Sequence, residues 1–151
     1  MKWFKVVFTT LVVVVGVLGL FYLSFSDSYR YSYKAKFEYE MGNYSKAIDL
    51  AQRAFELDPY NKMAFAMLTQ SKISIKILDY IKDGEEYLKR IDFISQKKHI
   101  SEADKIKVKM MCEVMLGRFK KLAPTVLTDK KLYKKAQVLE KKFKDIYENL
   151  D

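Results

Sequence analysis

One cysteine, one histidine, one tryptophan and two prolines stand among the 151 residues. The lone Cys112 excludes an intramolecular disulfide, and it excludes a zinc site built from closely spaced thiolates. Its neighbours Met110, Met111, Val114 and Met115 predict a buried, inert thiol, because reactive thiols need basic, partly exposed surroundings. His99 follows Lys97 and Lys98 in a polar stretch, reads as a solvated side chain, and is assigned no role. The chain has no Cys–His or Ser–His pair in a plausible context, no glycine-rich phosphate loop and no HExxH. It therefore lacks the nucleophile, base or metal that catalysis needs, and neither enzymatic activity nor a cofactor is expected. With only Pro59 and Pro124 to interrupt a sequence rich in Lys, Glu, Tyr, Leu and Ile, long helices are favoured over sheet. An all-α fold is expected.

Charge is what the amino-terminal segment lacks. No Asp, Glu, Lys or Arg falls between Lys5 and Asp27, and Val6 to Phe25 is dominated by Val, Leu and Phe. At about 1.5 Å per residue such a helix spans roughly 30 Å, the thickness of a bilayer's hydrocarbon core. The reading is a transmembrane signal anchor over 6–25, behind a short tail over 1–5 and ahead of a linker over 26–30. Trp3 on one side and Tyr22, Tyr29, Tyr31 and Tyr33 on the other resemble interfacial anchors. A cleavable secretory signal is the competing reading, and the length of the apolar core favours retention. The start resembles a bacterial signal anchor. That resemblance implies a single-pass inner-membrane protein with its soluble domain in the periplasm.

Beyond the linker, Gly42-Asn43-Tyr44-Ser45-Lys46-Ala47-Ile48 is followed by Ala51, Ala54, Phe55, Leu57, Asp58 and Pro59. Gly42 and Asn43 tolerate the positive φ of a tight interhelical turn, and Tyr44 can pack back under it. Ala47 and Ala54 are small where two helices must approach closely, Asp58 closes the helix, and Pro59 begins the next. This stretch, from Tyr31 to Pro59, resembles a tetratricopeptide repeat. Ala64, Phe65 and Leu68 begin a second hairpin in similar fashion, returning within Leu78 to Ile94, although no glycine-rich corner separates its arms. A third starts at Ser101, a good N-cap with Glu102 and Asp104 in the favourable first turn, and bends at Gly117-Arg118-Phe119 before running to Leu127. The repeat domain covers 31–128. A basic amphipathic helix over 129–151, behind a Thr128 cap, sets Leu132, Ala136, Leu139, Phe143, Ile146 and Leu150 on one stripe, as the end cap of a repeat array does.

The net charge of +9 is concentrated at the carboxyl end, where residues 97–151 hold 15 basic and 8 acidic residues. Lys120, Lys121, Lys130, Lys131, Lys134, Lys135, Lys141 and Lys142 form the candidate basic surface. An acidic protein or an anionic lipid suits such a surface; nucleic acid does not, since lysine far outnumbers arginine and no nucleic-acid module is legible. The tetratricopeptide resemblance implies a concave groove lined by the first helix of each hairpin. Carried over by position, Lys36, Tyr39 and Glu40, then Met63, Ala66 and Gln70, then Lys107 and Met111 would face a partner. The resemblance further implies a protein–protein adaptor, a periplasmic scaffold part of an envelope machine such as a flagellar motor or secretion system. A chaperone-like companion of the secretion translocon and a cytoplasm-facing import-type receptor are the alternatives.

Overall fold

The computed structural model describes residues 2–150, without the side chains of residues 2, 4 and 22–25. Met1 of the tail expected over 1–5, Asp151 at the end of the cap helix expected over 129–151, and the ring of Tyr22, an expected interfacial anchor, lie outside the described residues. Six helices are formed, α1 (Lys2–Phe25), α2 (Asp27–Glu40), α3 (Tyr44–Leu57), α4 (Lys62–Ser95), α5 (Glu102–Lys120) and α6 (Lys130–Glu148), and no strand occurs among the described residues. The chain divides into two compact units, 1–71 and 72–151, with α4 beginning in the first and ending in the second.

The transmembrane anchor expected over 6–25 is corrected. Helix α1 forms there, but among the described residues no helix is long and apolar enough to cross a membrane. The single-pass inner-membrane location is corrected on the same ground.

The first unit is built on small residues. Ser28, Ser32 and Ala35 form a buried stripe on α2, and Tyr44, Ala47, Ala51 and Ala54 form the matching stripe on α3. Spacings of three and four keep each stripe on one helical face, and the short side chains let the backbones approach closely. Between the helices, Asn43 N donates to Glu38 O at 2.9 Å and Gly42 N to Tyr39 O at 3.0 Å. These two bonds are a Schellman closure, which satisfies carbonyls that the end of α2 would otherwise leave bare. Gly42 has φ +81° and open space where a Cβ would stand, so its requirement is conformational rather than steric. Gly42→Ala is therefore expected to cost about 1–2 kcal/mol. A urea titration of the full chain reads this, and an unchanged midpoint would show that the turn does not need positive φ.

Asp58 closes α3, its backbone N–H donating to Ala54 O at 3.1 Å. Pro59 does not start the next helix as expected. The Asp58 carboxylate accepts from Tyr60 N at 2.9 Å in a tight turn, and α4 starts only after Asn61, whose side-chain oxygen accepts from Met63 N at 3.0 Å and Ala64 N at 3.1 Å.

Two further hairpins were expected and neither forms. Helix α4 runs unbroken for 34 residues through the place assigned to the second corner. No proline lies inside it, and its glycine, Gly84, is helical, so nothing stops the hydrogen-bond ladder. Likewise α5 runs through Gly117-Arg118-Phe119 to Lys120, and 121–129 is irregular, with no returning helix. Thr128 does not cap α6; it is buried and accepts from Thr125 N at 2.8 Å. The Asp129 carboxylate caps instead, accepting from Lys131 N at 2.8 Å and Leu132 N at 3.2 Å, where its charge also suits the helix N-terminus.

The second unit packs the later part of α4 with α5 and α6 around Ile77, Tyr80, Ile81, Ile91, Ile94, Val108, Cys112, Met115, Ala136, Leu139 and Phe143. The expected stripe of α6 supplies three of these, with Leu132, Ile146 and Leu150 packed at their edge. Phe119 joins Tyr80 to Tyr133, with ring centroids at 5.7 and 6.0 Å. Burial pushes the Cys112 thiol up to about 11, so the thiolate is not formed at neutral pH. At the start of α5, Ser101 and Asp104 form a reciprocal capping box, and Lys97 reaches Asp104 at 2.8 Å. Those bonds, Lys97 first and then Ser101, hold the Asp104 carboxyl below its usual range.

Candidate functional site

Helix α2 is two-faced. Opposite its buried small-residue stripe stand Tyr33 and Phe37, one turn apart and each 61% exposed, an unusual state for two large rings. With Lys34 and Glu38 from α2 and Lys46 and Leu50 from α3, they line a cleft of about 600 Å³. The hairpin sets both walls, since α2 and α3 are locked together by the alanine stripe and the Gly42 turn.

The polar part of the cleft is preorganised. Lys46 Nζ lies 2.6 Å from Glu38 Oε1, and Asn43 Nδ2 donates to Glu38 Oε2 at 2.8 Å. These bonds, the one from Lys46 foremost, hold the Glu38 carboxyl below its usual range. Lys34 lies 5.8 Å from the Tyr31 ring centroid, a cation–π distance. The floor is thus aromatic and aliphatic, with one fixed ion pair at its edge. Such a surface binds apolar side chains and orients them through a few polar contacts.

The groove residues carried over by position fall differently. Lys36 and Glu40 are exposed and face each other at 3.9 Å. Tyr39 is half-buried with its ring 5.3 Å from that of Tyr44, where it supports the turn. Met63 and Ala66 are partly exposed, whereas Gln70 is 95% buried, which removes it from any accessible wall. Lys107 and Met111 lie on α5 in the second unit, Lys107 exposed and Met111 packed against that unit's core. Sequence reasoning passed over Tyr33 as a site residue, and over Phe37 and Leu50 entirely. The available signal was the i, i+4 aromatic pair on the face of α2 that carries no small residue.

Of the basic residues, Lys120 and Lys121 are exposed at the end of α5, and Lys130, Lys131, Lys134, Lys135, Lys141 and Lys142 are exposed on α6. Lys131, Lys134, Lys135 and Lys142 border a single groove with α4, while Lys121 borders a separate small cleft with Lys76 and Arg118.

No family model matches the chain, and no curated protein or solved structure matches it either.

Proposed function

We propose that this chain is a protein–protein interaction adaptor of tetratricopeptide character, whose α2–α3 hairpin holds an apolar segment of a partner. One observation carries the reading: a rigid hairpin leaves Tyr33 and Phe37 exposed side by side above Leu50, in a cleft large enough for two or three side chains. Exposed aromatics cost solvation in an isolated domain and are the residues that dominate binding energy at interfaces. The Gly42 turn and the alanine stripe support the same reading, because they are the features that resemble the repeat. In this reading the chain is a scaffold part of a multiprotein assembly, with chaperone-like binding of many clients as the alternative.

A photo-crosslinking amino acid placed at Phe37 in the native cell tests it. A single stoichiometric adduct, lost on Tyr33→Ala, is the expected result. The control position is Tyr60, which is 91% exposed in the same unit. Adducts of equal yield at Phe37 and Tyr60 would refute the cleft as a binding site, and a spread of unrelated adducts would favour the chaperone role.

A further inference from the structure

In the second unit, α4 and α6 leave between them a groove of about 500 Å³. Ile81 and Leu88 come from α4, and Val138 and Leu139 from α6. The two helices are drawn together at Gly84. A Cβ there would stand 2.3 Å from Leu139 Cδ2 and 3.0 Å from Met115 Cε, so the absence of a side chain is what admits Leu139. Leu139 is consequently 6% exposed and forms the bottom of the groove, with Val138, 51% exposed, on its lip.

The rim carries one sign of charge on the α6 side. Lys131, Lys134, Lys135 and Lys142 all border the groove, with Glu85 on the α4 side. Among the described residues none of these four lysines is in an ion pair; the pair formed within α6, Lys144 with Glu148, lies outside the groove. Four lysines without an ion-pair partner beside an apolar floor, against the one carboxylate of Glu85, leave a local excess of positive charge that suits an anion.

We infer that this groove is a second docking site, and that it takes an acidic amphipathic helix of a partner protein. The complementarity is in both charge and spacing. Ile81 and Leu88 are seven residues apart on α4, two turns or about 10.5 Å, which matches apolar anchors at i and i+7 of a bound helix. Lys131 to Lys142 covers about 16 Å of α6, or three turns, so Glu or Asp recurring every three or four residues along the partner meets successive lysines. A bilayer of anionic lipid shares the charge but not the shape. Its surface is flat, whereas of the four apolar residues that line this groove Ile81 and Leu139 are buried, Leu88 is partly buried and only Val138 is exposed. This site does not depend on the α2–α3 cleft.

The test is selection of a displayed library of amphipathic helical peptides on the full chain, with counter-selection on Lys131→Glu/Lys135→Glu/Lys142→Glu. All three positions are exposed, and unchanged circular dichroism verifies the fold of the variant. Selected peptides are expected to combine acidic residues with apolar residues at i, i+3 or i+4, and i+7. Their binding should weaken at least about tenfold in the charge-reversed protein and in Val138→Asp, and by a similar factor between low and high salt. Three outcomes would overturn the inference. One is that no peptide separates the two proteins. Another is that acidic peptides stripped of apolar residues bind equally well. The third is that phosphatidylglycerol vesicles bind the full chain more tightly than any selected peptide and with the same dependence on Val138, which would make the groove a lipid site.

Discussion

Phe143→Ala should lower the unfolding free energy by about 3–5 kcal/mol, the range for truncating a fully buried aromatic ring. Phe143 is fully buried and lies in the one cluster that joins α4, α5 and α6 in the second unit. Its removal deletes the transfer free energy of an aromatic ring and leaves a cavity, because the rest of the cluster is drawn from three helices whose side chains cannot all collapse inward. Against a typical stability of about 5–15 kcal/mol, such a loss approaches global unfolding. Hydrogen exchange of the full chain locates the effect. Amides of α5 and α6 should lose protection while those of the α2–α3 hairpin keep most of theirs. A loss below about 1 kcal/mol would show that α6 does not pack on its stripe.

The second large effect is expected at Asn61. It is fully buried and every polar atom of its side chain is used: Oδ1 accepts from Met63 N and Ala64 N, while Nδ2 donates to Ser28 Oγ at 2.8 Å and Ser32 Oγ at 3.0 Å. The hydroxyls pass the network on, Ser28 donating to Ala54 O at 2.8 Å and Ser32 to Ser28 O at 2.9 Å. One amide thereby caps α4 and ties it to α2 and to the end of α3. Asn61→Ala removes the cap, worth about 1 kcal/mol, leaves two backbone N–H groups unpaired, and takes from two buried hydroxyl oxygens the donor they accept from. The expected total is about 2–4 kcal/mol. Asn61→Asp separates the two contributions. It keeps the cap but sets a carboxylate oxygen against two hydroxyls already committed as donors, so a loss intermediate between wild type and alanine is expected by urea titration. If the aspartate variant matched wild type, the donor bonds across the helices would contribute nothing.

The parts of this fold that were legible beforehand share a short range. The turn at Gly42, the Ser101 cap with Asp104 three residues on, and the apolar stripe of α6 each depend on residues within one or a few turns. Backbone sterics and helical periodicity dictate them with little help from elsewhere. The misreadings came from carrying a repeat pattern onward. A second and a third hairpin were expected because the first resembled a repeat, yet residues 62–95 hold no proline, and Gly84 and Gly117 are each tolerated inside a helix at a cost of about 1 kcal/mol. Thr128 is the expected cap of α6 and Asp129 the actual one; both are good cap residues, and only the path of the chain decides between neighbours.

The candidate sites show the same division. The aromatic content of α2 and the surplus of lysine near the carboxyl end can be read directly, but their arrangement cannot. Tyr33 and Phe37 matter because α3 brings Leu50 and Lys46 beside them. Four of the eight basic-surface lysines matter because α4, some 50 residues earlier, lays Ile81 and Leu88 against α6.

Composition, caps and periodicity alone determined that this chain is helical, where its first hairpin turns, and which stripe of the last helix is buried, since each follows from local sterics and the 3.6-residue repeat. Tertiary structure alone decided that α4 is continuous, that Asn61 rather than an apolar residue joins three helices, and that Gly84 opens a lysine-rimmed groove. Those features arise where residues distant in sequence meet, and the free energy of that meeting is written in no single segment.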